Sequence, residues 1–322
     1  MAATRRIALI VGISGQVGPY LARLLLDKGY VVHGSTRRAP GEALANLETL
    51  GIAGRVTLHP LELGDADAAT DLLQAIMPAE VYNLAGPSSV GRSFAEPRDS
   101  YAAITLGTLG LLEAVRRADP EVRFYNAASS ECFGDTGATP ATETTPFRPV
   151  SPYAAAKTAA FWEVAAFRDA YGLFACSGIV FNHESPLRPA GFVTRKIIDG
   201  ARRIARGEPG KLTLGRLDIE RDWGWAPEYV EAMWAMLQAN APEDYVLATG
   251  ESRRLEDFVA TAFAAVGRDW RDHVETDPAL FRPADIAHSA GNPEKARRKL
   301  GWAARHRMAE VVRMMVGESK GR

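Results

Sequence analysis

The sequence predicts an α/β protein with a doubly wound parallel sheet and a smaller C-terminal lobe. The first 180 residues alternate short runs, apolar on both faces, with amphipathic segments. Such strands, separated by helices, form a parallel sheet covered on two sides through right-handed crossovers. The chain of 322 residues exceeds the usual size of one core. We therefore expect one domain over residues 1–180 and a substrate-binding lobe over 181–322, with some segments of the lobe returning to the first domain.

The individual elements follow from the positions of these runs and segments. Strands are predicted over residues 6–11, 31–35, 56–60, 80–84, 123–127 and 174–180, and helices over 16–29, 66–77, 100–118 and 152–171. Residues 39–43, which include Pro40 and Gly41, are interpreted as a loop. Beyond residue 180, prolines and glycines separate shorter elements, and helices are predicted near 227–239, 254–266 and 307–317.

Composition argues against several classes of function. Hydrophobic residues make up 47% of the chain, and the formal net charge of -1 gives no reason to expect a nucleic acid or a membrane surface as partner. Cys132 and Cys176 lack the spacing of metal ligands and suit a reducing compartment. No run approaches the ~18 apolar residues of a membrane span. We therefore expect a soluble, cytoplasmic protein without a metal site.

A glycine-rich turn joins the first predicted strand to the first helix. It reads Gly12-Ile13-Ser14-Gly15-Gln16-Val17-Gly18, with G-x-x-G-x-x-G spacing. Glycines here permit a tight turn and let the backbone approach a pyrophosphate at the helix N-terminus. Many helices begin after a glycine, but a position inside a βαβ unit indicates a Rossmann dinucleotide site. The expected contacts are Gly12, Ser14, Gly15, Gln16, Val17 and Gly18.

The end of the second strand indicates which dinucleotide binds. An NAD site usually carries an acidic residue there, which holds the ribose 2′-hydroxyl. This chain instead has Arg37 and Arg38, and a guanidinium suits a 2′-phosphate. The two arginines therefore favour NADP. The alternative is that they are surface residues at the start of a loop.

Tyr153 and Lys157 lie four residues apart on the helix predicted over 152–171. Residues at this spacing share a helix face, so the ammonium can lie beside the phenol and lower its pKa from about 10. Such a phenol is a usable base near neutral pH, although the spacing also occurs by chance. Ser129 and Glu131 follow the fifth strand. They favour the catalytic interpretation, because ligands bind at the carboxyl ends of parallel strands.

Longer strings in the sequence carry a more specific resemblance. They are Phe181-Asn182-His183-Glu184-Ser185-Pro186, Phe192-Val193-Thr194-Arg195-Lys196, Arg221-Asp222-Trp223-Gly224, Tyr229-Val230-Glu231-Ala232-Met233-Trp234 and Phe281-Arg282-Pro283-Ala284-Asp285. Together with the glycine turn, Tyr153 and Lys157, they resemble the GDP-mannose 4,6-dehydratase family of the extended short-chain dehydrogenase/reductase superfamily. The resemblance spans nearly the whole chain.

The resemblance implies an intramolecular redox dehydration of a GDP-hexose to a GDP-4-keto-6-deoxy sugar, with the nicotinamide cofactor regenerated in each turnover. Tyr153 would remove the O4 proton while hydride leaves C4, and Lys157 would also hydrogen-bond the nicotinamide ribose. Ser129, at the position of the family's threonine, would hydrogen-bond O4. Glu131 would take the C5 proton and assist loss of the C6 hydroxyl before hydride returns to C6. The alternative for Glu131 is a solvated loop carboxylate.

The resemblance also implies contacts with the cofactor and with the GDP-sugar. The further cofactor contacts are Glu62, Leu63, Leu84 and His183, of which His183 either touches the cofactor or packs beneath it. The implied GDP-sugar contacts are Ser88, Asn182, Val193, Lys196, Arg221, Arg282 and Asp285. The two arginines would face the diphosphate and Asp285 a ribose hydroxyl.

Three alternatives to this function remain. Pro87, Ser88 and Ser89 depart from the family's pattern near the sugar, so another GDP-sugar, such as a GDP-manno-heptose, is an alternative substrate. A GDP-4-keto-6-deoxymannose reductase needs no C5 base, so Glu131 favours the dehydratase. A non-catalytic NADP-binding regulator is disfavoured because all four catalytic side chains are present. We expect a homodimer or homotetramer. In the extended dehydrogenases that this chain resembles, the helices corresponding to 100–118 and 152–171 commonly form the interface between two subunits.

Overall fold

The computed structural model describes residues 6–37 and 40–317. Its strands are β1 (Ile7–Val11), β2 (Val31–Thr36), β3 (Val56–Pro60), β4 (Glu80–Asn83), β5 (Arg123–Ser129), β6 (Ala175–Val180), β7 (Asn182–Glu184), β8 (Leu212–Leu214), β9 (Glu220–Trp225), β10 (Tyr245–Leu247), β11 (Ser252–Arg254) and β12 (Val274–Thr276). The strands predicted for the first domain are confirmed, with ends that differ by at most two residues.

A seven-stranded parallel sheet has the order β10-β6-β5-β4-β1-β2-β3. The chain moves outward from β1 to β3, crosses back to β4 beside β1, and then moves outward in the other direction. This is the predicted doubly wound Rossmann arrangement, whose switch point lies between β1 and β4. Ligands of such sheets bind outside the carboxyl ends of the strands at this point. A ligand is therefore expected at the turns that follow β1 and β4.

The helices cover both faces of the sheet and fill the second lobe. They are α1 (Gly18–Asp27), α2 (Pro40–Thr49), α3 (Ala66–Ile76), α4 (Val90–Ala95), α5 (Pro97–Tyr101), α6 (Gly107–Ala118), α7 (Pro152–Tyr171), α8 (Val193–Ala205), α9 (Ala226–Gln238), α10 (Leu255–Ala264), α11 (Glu294–Leu300) and α12 (Met308–Gly317). None of these helices, within the residues that the structure describes, is long and apolar enough to cross a membrane.

The helix predicted over 100–118 is helical throughout in the structure, but it is not α-helical throughout. The structure has α5 and α6 with a π-helical segment, Ala102–Leu106, between them. In this segment Thr105 is buried and donates a hydrogen bond to the carbonyl of Ala156 on α7, at 3.1 Å. A π turn has i→i+5 hydrogen bonds and is rare, and the local sequence carries no signal that predicts one. The sequence therefore indicates the helix but not its interruption.

Four helices, α2, α4, α8 and α11, are absent from the sequence prediction. Residues 40–43, interpreted as part of a loop, begin α2, because a proline fits the first turn of a helix, where its missing N–H costs nothing. The strings around residues 193–196 begin α8, which buries Ile197, Ile198 and Ile204 on one face. Gly200 lies inside α8 because a Cβ there would lie 3.0 Å from a methyl of Leu212.

Segments beyond residue 180 contribute to the first sheet. Strand β10 pairs in parallel with β6, and α9 packs Tyr229, Met233 and Met236 into the same apolar cluster as Leu21 and Leu25 of α1. The second lobe has its own apolar cluster, built mainly from α8, α10 and α12. It also holds a three-stranded sheet, β11-β9-β7, and a parallel pair, β12-β8. The division at residue 180 stays a prediction, with the chain crossing between the two cores more than once.

Candidate active site

A cavity of about 540 Å³ opens between the carboxyl ends of the central strands and the second lobe. The predicted site residues that line it are Gly12, Gly15, Gln16, Val17, Gly18, Leu84, Ser88, Ser129, Glu131, Tyr153, Lys157, Asn182, His183, Val193, Lys196, Arg221 and Arg282. The expected cofactor, catalytic and substrate groups therefore face one space.

Some predicted contacts lie elsewhere. Arg37, Glu62 and Leu63 line a second cavity of about 450 Å³, which shares Pro87 with the first. A guanidinium nitrogen of Arg37 lies 3.9 Å from a carboxylate oxygen of Glu62. Arg38 falls outside the described residues. The second cavity adjoins the ends of β2 and β3, where the sequence predicts the adenosine end of the cofactor.

The glycine turn packs too tightly for side chains at two of its positions. Gly12 has φ +85°, and a Cβ there would lie 2.8 Å from Cα of Ala85. A Cβ on Gly18, the first residue of α1, would lie 2.4 Å from the carbonyl oxygen of Ile13. Ser14 is buried beneath the turn, with its hydroxyl 3.1 Å from that of Thr36. The turn thus exposes backbone at the N-terminus of α1, as an anion site requires.

Gln16 offers a polar atom that fits a bound dinucleotide. Its amide nitrogen donates to the carbonyl of His183, at 2.9 Å. Its amide oxygen is buried and has no hydrogen-bond partner among the described residues. An acceptor left unpaired in this way costs free energy unless a ligand or water donates to it. The cavity wall beside the glycine turn therefore suits a nicotinamide dinucleotide.

His183 both lines the cavity and packs against the fold. Its Nδ1 lies 2.7 Å from the carbonyl of Phe181, and its ring stacks on Tyr229 with centroids 4.9 Å apart. Burial lowers the pKa of His183 to about 4. The imidazole is therefore neutral at physiological pH, and both interpretations of this residue are compatible with its position.

Ser129 and Tyr153 meet at the end of β5. The Ser129 hydroxyl accepts the backbone N–H of Glu131 at 3.2 Å and also hydrogen-bonds the Tyr153 phenol. The backbone N–H of Tyr153, at the start of α7, donates to the hydroxyl of Ser93 at 3.1 Å. Burial raises the pKa of Tyr153, whereas Ser129 and the guanidinium of Arg188 lower it. A base at this position requires further stabilisation of the phenolate.

Lys157 lies one helical turn after Tyr153 and is almost fully buried. Its ammonium donates to the carbonyl of Ala127 on β5, at 2.7 Å. Burial lowers the pKa of Lys157 to about 8. The sequence predicts that this ammonium acts on the phenol. In the structure the hydrogen bond of this ammonium goes to the backbone, and the guanidinium of Arg188 lowers the pKa of the phenol.

Glu131 occupies the short 3₁₀ turn after β5. Burial raises the pKa of its carboxyl, while Arg221 and Arg282 lower it. The pKa of a carboxyl that exchanges protons with a substrate is raised by burial in this manner. The side chain lines the cavity instead of facing open solvent, which favours the catalytic interpretation.

Arg221 is held by the second lobe. It is buried, and its guanidinium donates to the carbonyl of Ile286 at 2.7 Å and to Asp285 at 3.0 Å. Arg282 lies 3.5 Å from the same carboxylate. Asp285, expected at a ribose hydroxyl, instead accepts from Arg221 and from the Ile286 N–H. It does not line the cavity, and its carboxylate contacts both arginines instead.

The segment Pro87 to Ser89, which departs from the family's pattern, leads into α4. Ser89 caps α4, because its hydroxyl accepts the backbone N–H of Arg92 at 3.2 Å. Gly86, which precedes Pro87, has φ +115°.

Another part of the cavity wall belongs to the second lobe, where Lys196 donates to the carbonyl of Thr213 at 2.7 Å. Asn182 and Val193 begin β7 and α8 at the same wall.

Sequence reasoning missed Arg188, which also lines the cavity. It forms a two-pronged ion pair with Glu184, at 2.7 and 2.6 Å. The available signal was an arginine between Pro186 and Pro189, immediately after the matched string that ends at Pro186. No cluster of metal-ligating side chains is found within residues 6–37 and 40–317.

The chain is similar to known proteins over nearly its whole length. Residues 9–315 match the family model described as GDP-mannose 4,6 dehydratase. The chain is 46% identical to GDP-mannose 4,6 dehydratase 1 of Arabidopsis thaliana, over 98% of this chain and 90% of the relative. It is 42% identical to GDP-mannose 4,6 dehydratase of Homo sapiens, over 98% of this chain and 92% of the relative.

Solved structures share the fold at lower identity. A dTDP-glucose 4,6-dehydratase of Bacillus anthracis in complex with NAD has a TM-score of 0.84 at 20% identity, covering 98% of this chain and 97% of that one. A UDP-glucose 4-epimerase of Thermus thermophilus in complex with NAD has a TM-score of 0.85 at 25% identity, covering 98% and 99%. Both likenesses extend over the sheet and the second lobe.

Proposed function

The chain belongs to the GDP-mannose 4,6-dehydratase family, and we propose that it converts GDP-mannose into GDP-4-keto-6-deoxymannose. The observation that carries the proposal is the presence, in one cavity, of a buried phenol, a half-buried carboxyl and a guanidinium pair. The phenol and the carboxyl suit two separate proton transfers, and the guanidinium pair suits a diphosphate.

The first proton transfer is assigned to Tyr153. As the phenolate, it removes the O4 proton of the hexose, while the Ser129 hydroxyl donates a hydrogen bond to O4. The glycine turn and Gln16 would hold a nicotinamide cofactor, which would supply a reversible hydride acceptor for C4 and C6. Lys157, whose ammonium donates to the carbonyl of Ala127 at 2.7 Å, lines the same cavity and is assigned to the nicotinamide ribose. The hydrogen bond between Ser129 and Tyr153 supports this assignment.

The second proton transfer is assigned to Glu131. A ketone at C4 makes the C5 proton acidic, and the Glu131 carboxylate takes that proton. The resulting carboxylic acid protonates the departing C6 hydroxyl, so the elements of water leave across C5 and C6. Burial, which raises the pKa of this carboxyl, supports its use in both directions.

The nucleotide end is assigned to the second lobe. Arg221 and Arg282 bind the diphosphate, and Asp285 orients both of them from behind. Asn182, Val193 and Lys196 bind the remainder of the GDP group, and Ser88 lies on the sugar side. The buried ion pair between Arg221 and Asp285 supports this arrangement, since it holds one guanidinium in a fixed orientation.

One assay tests the proposal. The purified chain is incubated with GDP-mannose and a catalytic amount of NADP+, and the sugar product is followed by mass. Loss of one water without net formation of NADPH is the expected result, and Tyr153→Phe is the inactive control. Oxidation of NADPH only with a 4-keto GDP-sugar would instead identify a reductase. Cofactor binding without turnover of any GDP-sugar would identify a regulator. Faster turnover of GDP-manno-heptose than of GDP-mannose would identify a dehydratase of another GDP-sugar.

The cofactor is a nicotinamide dinucleotide, and we further propose NADP. The glycine turn and Gln16 support the dinucleotide, and Arg37 in the second cavity supports the 2′-phosphate. Arg38 belongs to the same proposal from the sequence alone.

Calorimetry with NADP+ and NAD+ tests the preference for NADP. We expect Arg37→Gln to weaken NADP+ binding about tenfold, or ~1.4 kcal/mol, without changing NAD+ binding. Arg92→Gln, in the same cavity, is the control, and tighter binding of NAD+ by the native chain would contradict the proposal.

We also propose that the chain forms a homodimer in the cytoplasm. The dimer is supported by apolar side chains exposed on α5, α7 and the π segment, namely Tyr101, Leu106 and Trp162. The location is supported by Cys132 and Cys176, which are buried free thiols.

A further inference from the structure

The guanidinium of Arg221 is held by one backbone peptide in particular, the peptide that joins Ile286 to Ala287. Its Nη1 donates to the carbonyl oxygen of Ile286 at 2.7 Å, in a buried contact. The same nitrogen donates to the carbonyl of Glu220 at 2.9 Å, and Nη2 donates to Asp285 at 3.0 Å. In the part of the chain that the structure describes, no hydrogen bond uses the Nε of this arginine. These contacts therefore fix the direction in which Arg221 presents its remaining donors to the cavity.

The opposite end of that peptide is held by Asp135, which belongs to a loop of the first domain. One carboxylate oxygen of Asp135 accepts the N–H of Ala287 at 3.0 Å and the N–H of His288 at 3.3 Å. The other carboxylate oxygen accepts the N–H of Gly137 at 2.8 Å. Although desolvation opposes ionisation, these backbone donors lower the pKa of Asp135, so the carboxyl carries its charge at neutral pH.

The peptide between Ile286 and Ala287 thus lies between two opposite charges. Its N–H end faces the carboxylate of Asp135 and its C=O end faces the guanidinium of Arg221. The peptide is trans, so these two ends point in opposite directions. Each charge polarises the peptide in the sense that strengthens the hydrogen bond at the other end. Asp135 therefore reinforces the contact that orients Arg221.

The segment that contains this peptide is also bonded to backbone on two sides. The N–H of Glu220, the first residue of β9, donates to the carbonyl of Ala287 at 2.7 Å. On the other side, the N–H of Thr136 donates to the carbonyl of His288 at 3.0 Å. The loop of Thr136 comes directly after the 3₁₀ turn that carries Glu131. The segment therefore joins β9 in the second lobe to a loop of the first domain.

We propose that Asp135 is a positioning residue for the nucleotide: through the peptide between Ile286 and Ala287, it orients the guanidinium of Arg221 toward the diphosphate. This inference rests on the proposed function, since it takes Arg221 as a ligand of the diphosphate. Asp135 is itself exposed and does not line the cavity in which cofactor and sugar are proposed to bind. Its loss should weaken nucleotide binding and raise KM, while kcat and cofactor affinity stay unchanged.

Calorimetry of GDP binding to Asp135→Ala tests the proposal, because this variant removes the carboxylate and leaves Arg221 and Asp285 intact. We expect GDP to bind about fivefold more weakly than to the native chain, with unchanged affinity for NADP+. Kinetics with GDP-mannose should show a similar rise in KM at native kcat. Asp135→Asn keeps one oxygen that can accept the N–H of Ala287, so it should recover part of the affinity.

A double-mutant cycle with Arg221→Gln separates this role from general support of the fold. Because Asp135 acts through Arg221, Asp135→Ala should change GDP affinity less than about twofold in the Arg221→Gln background. A matched control is Asp119, an exposed carboxylate that accepts the N–H of Glu121 at 2.9 Å and does not line the cavity. Asp119→Ala should bind GDP as the native chain does.

The possible results distinguish this inference from the proposed function. Native GDP affinity in Asp135→Ala, or an equal loss of affinity in both backgrounds of the cycle, would overturn the role of Asp135 and leave the proposed function intact. A native chain that does not bind GDP would overturn both. Weaker GDP binding by Asp135→Ala without turnover of GDP-mannose by the native chain would support the role of Asp135 and contradict only the proposed reaction.

Discussion

Glu131 combines a carboxyl whose pKa is raised by burial with two guanidinium groups that oppose the rise. We expect Glu131→Gln to lower kcat about 10²–10⁴-fold, since an amide cannot take the C5 proton. The substitution keeps the shape of the side chain, so the affinity for the nicotinamide cofactor should not change. Mass analysis of the product and calorimetry of cofactor binding measure the two effects.

Glu121→Gln is the control for this experiment. Glu121 is exposed and precedes β5, whereas Glu131 follows it. The control should retain native kcat. Native kcat in Glu131→Gln would remove this carboxyl from the mechanism.

The buried ammonium of Lys157 lowers the stability of the folded chain. Burial lowers its pKa to about 8 in the folded chain, against about 10.4 for an unfolded lysine. The folded state thus binds the proton more weakly, and the cost is complete below pH ~8 and gone above pH ~10. We expect Lys157→Met to abolish activity and to raise the free energy of unfolding at pH 7 by about 2 kcal/mol.

Urea unfolding at pH 7 and pH 10 measures this effect. The gain should shrink as the pH rises, and the exposed Lys211→Met should show no gain at either pH. An equal gain for Lys157→Met at both values would assign it to apolar packing and not to the buried charge.

At the scale of elements, α3 ends in a strained residue. Met77 has φ +46° and ψ +60° and is 78% exposed. Glycine adopts this left-handed conformation without the steric cost of a Cβ. We expect Met77→Gly to raise the free energy of unfolding by about 1 kcal/mol, measured by urea unfolding. Met77→Ala removes the same exposed side chain but keeps the Cβ, so a similar gain in that variant would contradict the explanation.

The elements that the sequence predicts carry an unambiguous local signal, which the missed elements lack. Strand β1 is apolar on both faces, and α7 is long and begins with a serine cap and a proline. The start of α2 has Pro40 and Gly41, which also suit a loop. Local sequence does not distinguish these outcomes. The π segment depends on contact with α7, so it too is decided by a distant part of the chain.

At the scale of the whole molecule, an exposed apolar surface predicts self-association. Trp162 on α7 is 59% exposed, and Leu106 and Tyr101 are 53% and 45% exposed. We expect Trp162→Lys to convert a dimer into a monomer, because a charge desolvated in the interface costs several kcal/mol. Sedimentation velocity measures the change. Met77→Lys, at another exposed apolar position, should leave the dimer intact, and a monomeric native chain would contradict the prediction.

The sequence by itself determined the doubly wound fold, the glycine turn and the positions of Ser129, Glu131 and Tyr153. These features depend on short-range patterns: apolar periodicity, backbone freedom at glycine, and the ends of strands. Only the tertiary structure decided that Lys157 bonds to Ala127, that Arg188 faces the cavity, and that Asp285 lies behind Arg221. Those outcomes depend on desolvation and on hydrogen bonds between residues far apart in the chain. No local pattern encodes them.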